Sequence, residues 1–291
     1  MSLKPWLLAI RPATLMCSWI PVVVGGAIAQ SLGAFAFVPW FVALAAATLI
    51  QIGTNFANDV FDFLKGADDE NRKGPTRAVQ AGLISPKAML AGMVLSFVAA
   101  FLLGIYLVCV AGWPIVWIGI FSILSGFAYT GGPYPLGYNG LGDLFVFVFF
   151  GWVAVCGTVY VQMLSLPNLT WVAALPCGAI STAILVVNNI RDTETDKRVG
   201  KRTLAVRFGK KAAKIEYLLC MATIPLTPLL LVLFYDVSPW VFLGLLSFPL
   251  ALTCIKNVLS STDPMVQNRT LKMTALLLVF FGMPYSLGLM L

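Results

Sequence analysis

Asn55, Asn58, Asp59 and Asp62 stand at i, i+3, i+4 and i+7. On an α-helix that spacing puts all four polar side chains on one face. Much further along, Asn188, Asp192 and Asp196 stand at i, i+4 and i+8, with Asn189 beside them. Again a single face is polar and carries carboxylates. Both groups close long apolar runs, where acids are costly and usually functional. Left alone, neighbouring carboxylates repel and take up protons. A divalent cation removes that conflict. Mg2+ prefers oxygen ligands and commonly takes one or two carboxylates together with phosphate oxygens. Arg and Lys lie close by in sequence: Arg72, Lys73 and Arg77 after the first group, and Arg191, Lys197, Arg198, Lys201 and Arg202 around the second. They can neutralise the remaining charge of a phosphate. The pattern predicts a Mg2+-bridged polyphosphate site.

The elements that must carry these residues are membrane helices. The chain has 291 residues, 59% of them hydrophobic and 11% charged, against about 25% charge in a soluble domain. Apolar stretches long enough to cross about 30 Å of hydrocarbon fall at 13–30, 38–58, 88–108, 113–129, 143–163, 170–190, 214–234, 238–255 and 272–290. The expected fold is all-α: a polytopic membrane protein of nine transmembrane helices with a cap of cytoplasmic loops, forming one domain over 1–291. All 19 Lys and Arg precede the first span or lie in the connections after the second, sixth and eighth. The positive-inside rule then places the N-terminus and both acidic clusters in the cytoplasm and the C-terminus outside. Arg11 and Pro12 lead straight into the first apolar run, so no separate cleavable signal is expected. The polar stripes must face the bundle interior, because lipid cannot satisfy them.

A third polar element joins the fourth and fifth spans, from Tyr129 to Asp143. Its glycines and prolines predict a compact irregular loop on the same side. Tyr129, Tyr138, Asn139 and Asp143 are candidates to line a substrate mouth. The absence of His removes imidazole general-base chemistry. The six Cys are scattered through apolar segments without a metal-ligand spacing and read as packing residues. Net charge is +7, but its confinement to membrane-flanking loops argues for topology and anionic lipid rather than nucleic acid.

The stretches Asn58–Asp68, Gly74–Gly82, Gly131–Asp143 and Asn188–Gly209 resemble the UbiA superfamily of intramembrane aromatic prenyltransferases. The wording of the loops is most similar to the branch that prenylates 1,4-dihydroxy-2-naphthoate. The resemblance implies a polyprenyl diphosphate donor, that naphthoate as acceptor, and Mg2+ held by Asp59, Asp62, Asp68, Asp192 and Asp196. Asn55, Asn58, Arg72, Lys73, Arg77, Tyr129, Tyr138, Asn188, Asn189, Arg191, Lys197 and Lys201 are the expected substrate contacts. The first acidic motif of that superfamily ends in Asp where this chain has Gly66, so the third ligand falls to Asp68 or Asp69, with Asp68 favoured. A Lys common in the superfamily is replaced by Pro133, leaving Lys73 or Lys201 to fill its role. Two other readings are a relative using 4-hydroxybenzoate or homogentisate, and a secondary transporter. Transporters concentrate charge near the bilayer midplane, whereas every acid here except Asp236 is read at or beyond a cytoplasmic helix end.

Overall fold

The computed structural model describes residues 3–67 and 74–291. Among them are helices and turns, with no strand. A short helix, α1 (Lys4–Ile10), precedes α2 (Pro12–Ser31), α3 (Phe37–Leu64), α4 (Pro86–Ala111) and α5 (Trp113–Ala128). Then follow α6 (Gly142–Met163), α7 (Asn168–Arg198), α8 (Leu204–Tyr235), α9 (Pro239–Ser260) and α10 (Pro264–Met290). Eight of these are long and apolar enough to cross a membrane, and the shorter apolar α5 makes the ninth expected span. The chain is a multi-pass membrane protein.

Several helices outrun their apolar stretches. α3 continues to Leu64 and α7 to Arg198. Inside hydrocarbon every backbone group needs an internal partner, and a helix supplies it. Continuing past the boundary keeps that ladder intact and carries the carboxylates on rigid rods. Pro and Gly set the breaks. Prolines occupy the first turns of α2, α4, α5 and α9, where a missing N–H costs nothing. Gly112 turns α4 into α5 at φ 75°, and Gly209 kinks α8.

The bundle has a dense half and a hollow half. α7 is the central rod, with 78% of its apolar window buried, against 17% for α3 and 28% for α4. A large core joins it to α2, α6, α8, α9 and α10 through Ile180, Val186, Ile224, Leu278 and Phe281. α6 crosses α7 closely at Gly151 and Gly178, where a Cβ on Gly178 would sit 2.5 Å from the Phe147 carbonyl oxygen. Small residues allow such crossings in membranes. A second, smaller core packs Ala9 of α1 and Ala78, Val79 and Ile84 of the following loop against the ends of α3 and α4. It closes the basic end of the bundle over the first carboxylate stripe. α3, α4, α5 and α6 enclose the hollow half.

Candidate active site

Asp59 and Asp62 are 1% and 2% exposed, so the stripe on α3 does face inward. The loop after α3 is what covers it. The Asp59 carboxylate accepts the backbone N–H groups of Ala78 at 3.1 Å and Val79 at 3.0 Å. That tether turns Arg77 back towards the helix, and its guanidinium reaches Asp62 Oδ2 at 3.2 Å. The other Asp62 oxygen accepts the Tyr138 hydroxyl at 2.8 Å and lies 3.4 Å from Lys201 Nζ. Each Asp59 oxygen keeps a second acceptor position, so metal contact and loop support are compatible.

The second stripe is organised by Arg191. Its fully buried side chain is forked on Asp192 and also donates to Asn188 and Asn268. Arg191 therefore holds the end of α7 together, and its guanidinium is committed within the protein. Asn189 turns the other way and donates to Asp143 Oδ1 at 3.2 Å. After α7 the chain doubles back, with the Lys201 N–H on the Asp196 carbonyl at 2.9 Å. The Lys201 ammonium then stands 4.0 Å from Asp196 Oδ1 and 3.4 Å from Asp62 Oδ1. One cation joins the two acidic groups that the sequence separates.

Tyr138 is the meeting point. Lys65 Nζ lies 4.7 Å and Lys201 Nζ 4.6 Å from the centre of its ring, within reach of cation–π attraction. The Lys65 ammonium also donates to the Thr130 carbonyl, and the Thr130 hydroxyl donates to Asn58. Partial withdrawal from water pulls the Lys65 ammonium below its ordinary pKa; Asp62 opposes that shift and Lys201 adds to it.

The loop that carries Tyr138 is pinned by the segment after α7. The Arg202 N–H donates to the Tyr138 carbonyl at 2.7 Å, and Arg207 donates to the Asn139 carbonyl at 2.7 Å. Gly140 permits this approach: its φ is 74°, and an added Cβ would lie 2.7 Å from the Arg202 carbonyl oxygen. Left-handed backbone alone costs a side chain about 1–2 kcal/mol. Gly140→Ala is therefore expected to lower the thermal midpoint in detergent and to displace Tyr138 and Lys201 together. A variant that melts and turns over like the parent would show that the loop contact is dispensable.

Of the expected site residues, Asn58, Asp59, Asp62, Arg77, Tyr138, Asp196 and Lys201 come together, with Asp192 and Asn188 adjacent on α7. Asn55 serves elsewhere: its amide donates to the Ile10 carbonyl and to Thr14, tying α3 to the start of α2. Lys197 is exposed on the surface of the last α7 turn. Asp68, Arg72 and Lys73 lie outside the described residues. Lys65, in the sequence one of the basic residues that mark topology, sits three residues after Asp62 and so on the same helical face.

Beneath this polar group the hollow half holds a cavity of about 420 Å3. Gln51, Thr54, Ser125 and Tyr129 line it, and the remaining walls are largely Ala, Val, Ile and Phe from α3 to α6. α6 contributes through a π-helical turn, Val148–Val153, that carries Phe149, Phe150 and Val153 into the cavity wall. The arrangement sets a group of paired acids and bases beside an apolar cavity.

The UbiA prenyltransferase family model matches residues 18–288. A 1,4-dihydroxy-2-naphthoate octaprenyltransferase of Escherichia coli (strain K12) is 36% identical, over 99% of this chain and 96% of its own length. The enzyme of the same description from Mycobacterium tuberculosis (strain ATCC 25618 / H37Rv) is 39% identical over 86% and 85%. Among solved structures, a UbiA homolog from Aeropyrum pernix K1 matches with a TM-score of 0.70 at 13% identity, over 93% of this chain and 96% of that one. A UbiA homolog from Archaeoglobus fulgidus bound to DMAPP and Mg2+ matches at 0.59 and 13%, over 97% and 99%.

Proposed function

The chain belongs to the UbiA prenyltransferase family, and on that footing we propose that it transfers a polyprenyl group from an allylic diphosphate to 1,4-dihydroxy-2-naphthoate. Pyrophosphate and the ring carboxylate, as CO2, are the co-products, and the aromatic product has the demethylmenaquinone skeleton. The observation that carries this reading is Lys201, whose ammonium joins Asp62 to Asp196 at the head of an apolar cavity. The naphthoate acceptor rests on the full-length likeness to enzymes described by that substrate.

The donor set suits Mg2+. Among the described residues no group of three or more His, Cys, Asp or Glu side chains could hold a metal by itself, so the diphosphate would have to complete the site. Mg2+ is usually held by one or two carboxylates with phosphate oxygens completing its octahedron. Asp59, Asp62 and Asp68 from one side and Asp192 and Asp196 from the other would hold it. Bound there, the ion would supply Lewis-acid stabilisation of the departing pyrophosphate.

This chain's own groups do the rest. Lys201, Lys65 and Arg77 present fixed positive charge where the diphosphate accumulates negative charge, at no reorganisation cost. Tyr138 holds Asp62 in place and spaces the lysines. The C–O bond of the allylic donor breaks, and an electron-rich ring carbon forms the new C–C bond. No protein nucleophile is required, in keeping with a chain that has no His. The apolar slot receives the polyprenyl tail and keeps water from the allylic cation. The confinement of basic residues to the N-terminus and the connections after the second, sixth and eighth spans supports a cytoplasmic site and N-terminus and an outer C-terminus in the cell (inner) membrane. Residues 1–291 act as one transmembrane domain.

Membranes containing the protein, incubated with Mg2+, a labelled polyprenyl diphosphate and a panel of aromatic acids, test the proposal. The expected product has the mass of a prenylated, decarboxylated naphthoate. A product formed only from 4-hydroxybenzoate or homogentisate would reassign the acceptor. Movement of label without any covalent product would overturn the transferase reading.

A further inference from the structure

One side of the apolar cavity carries polar groups that the protein leaves unpaired. Ser122 and Ser125 stand at i and i+3 on α5, share one helical face and line the cavity. The opposite face of α5 is apolar and turned outward, with Trp117, Phe121 and Leu124 exposed. In an apolar helix a Ser or Thr hydroxyl commonly returns to a carbonyl one turn back. Thr48, Thr54, Ser96, Thr158 and Ser286 all do so. Ser122 and Ser125 do not, and among the described residues neither hydroxyl makes a hydrogen bond. The adjoining wall is α3. There Gln51 is 8% exposed and lines the same cavity. Its amide nitrogen donates to Asn55 Oδ1 at 3.4 Å, while its carbonyl oxygen accepts nothing among the described residues. The two helices cross tightly at this level, because a Cβ on Gly126 would run into Thr54 Oγ1. Gly126 follows Ser125, and Thr54 is one turn from Gln51, so the crossing brings both polar sets to one side of the cavity.

We infer that Gln51, Ser122 and Ser125 form the subsite that recognises the aromatic acceptor by its two ring hydroxyls. The inference rests on the prenyl-transfer reading above and deepens it. A hydroxyl or amide left unpaired in an apolar cavity is unfavourable, and a prenyl tail has no group to pair with it. A para-dihydroxy aromatic ring does, since each phenol donates one hydrogen bond and accepts another. Side chains one helical turn apart have Cβ atoms about 5–6 Å from each other, which matches the span between para oxygens of one ring. Ser122 and Ser125 can therefore each meet one of them, and the Gln51 carbonyl takes a phenol proton as a hydrogen bond. Gln51 stands eight residues before Asp59 on α3, a rise of about 12 Å. A ring held there lies on the apolar side of the diphosphate and away from the carboxylates.

The test is Gln51→Met and Ser125→Ala in purified, lipid-reconstituted protein supplied with octaprenyl diphosphate. Each is expected to raise the KM for 1,4-dihydroxy-2-naphthoate about three- to tenfold, the scale of one lost hydrogen bond, and to leave the KM for the donor unchanged. Competitive inhibition by 1-hydroxy-2-naphthoate and 4-hydroxy-2-naphthoate then reads the contact itself. In Ser125→Ala the inhibitor that lacks the hydroxyl held by Ser125 should keep its parent Ki, and the other should bind more weakly. An unchanged acceptor KM in variants that elute and melt like the parent overturns the subsite. So does an equal rise in donor KM, which would place these residues on the path of the tail. Ser122→Ala removes a hydroxyl from the same wall and decides the matter if the other variants do not fold. A parent that transfers no prenyl group to the naphthoate would sink the acceptor reading beneath the inference instead.

Discussion

Asp62→Asn is expected to reduce Mg2+-dependent transfer by about 10²–10³-fold, the loss seen when one element of a preorganised electrostatic site is removed. Asp62 is where three separate segments meet: it accepts the Tyr138 hydroxyl and pairs with Arg77 and Lys201. Asn keeps the shape and can still accept from Tyr138. It loses the charge that balances Arg77 and Lys201 and the anionic oxygen a metal needs. Breaking a buried ion pair also destabilises, so the thermal midpoint should fall as well. The decisive measurement is the initial rate against Mg2+ concentration in protein that elutes as a folded, monodisperse species. Parent-like rates there would remove Asp62 from the metal set.

Lys201→Met should act differently. The methylene stem is preserved and the ammonium is lost. Lys201 is the contact between Asp62 and Asp196, and its charge would face the incoming diphosphate. A hydrogen bond to a charged group contributes about 1.5–3 kcal/mol, which converts to about tenfold to a hundredfold in donor affinity. The expected result is a KM for the donor raised by that factor. Unlike Asp62→Asn, this variant leaves every carboxylate in place, so its Mg2+ dependence should persist at saturating donor. A variant with unchanged donor KM would show that Lys65 and Arg77 suffice.

Much of the fold was legible because charge and apolar length constrain each other. The basic residues skip alternate connections, and miscounting one early span would have scattered them across both sides. The carboxylate faces were legible for a similar reason, since i+3 and i+4 spacing survives into any helix. Partner choice was not. Arg191 and Lys201 look equivalent in a basic loop, yet Arg191 is spent on Asn188, Asp192 and Asn268 while Lys201 spans the clusters. Asn188 and Asn189 are adjacent in sequence but turn to different helices, because successive helical positions differ by about 100°. Asn55 belongs to the polar face by spacing but sits deep enough to meet the start of α2 instead of the site.

The setting of the apolar cavity among membrane-spanning helices changes what concentration means for this enzyme. A donor with a long apolar tail dissolves in the bilayer, so the quantity that governs encounter is its mole fraction among lipids and not its molarity in the tube. Adding inert detergent or lipid at fixed donor then acts as a diluent and slows turnover, although nothing has touched the protein. A long-tailed product likewise stays in the phase that dissolves it. The membrane is thereby both reagent reservoir and product sink.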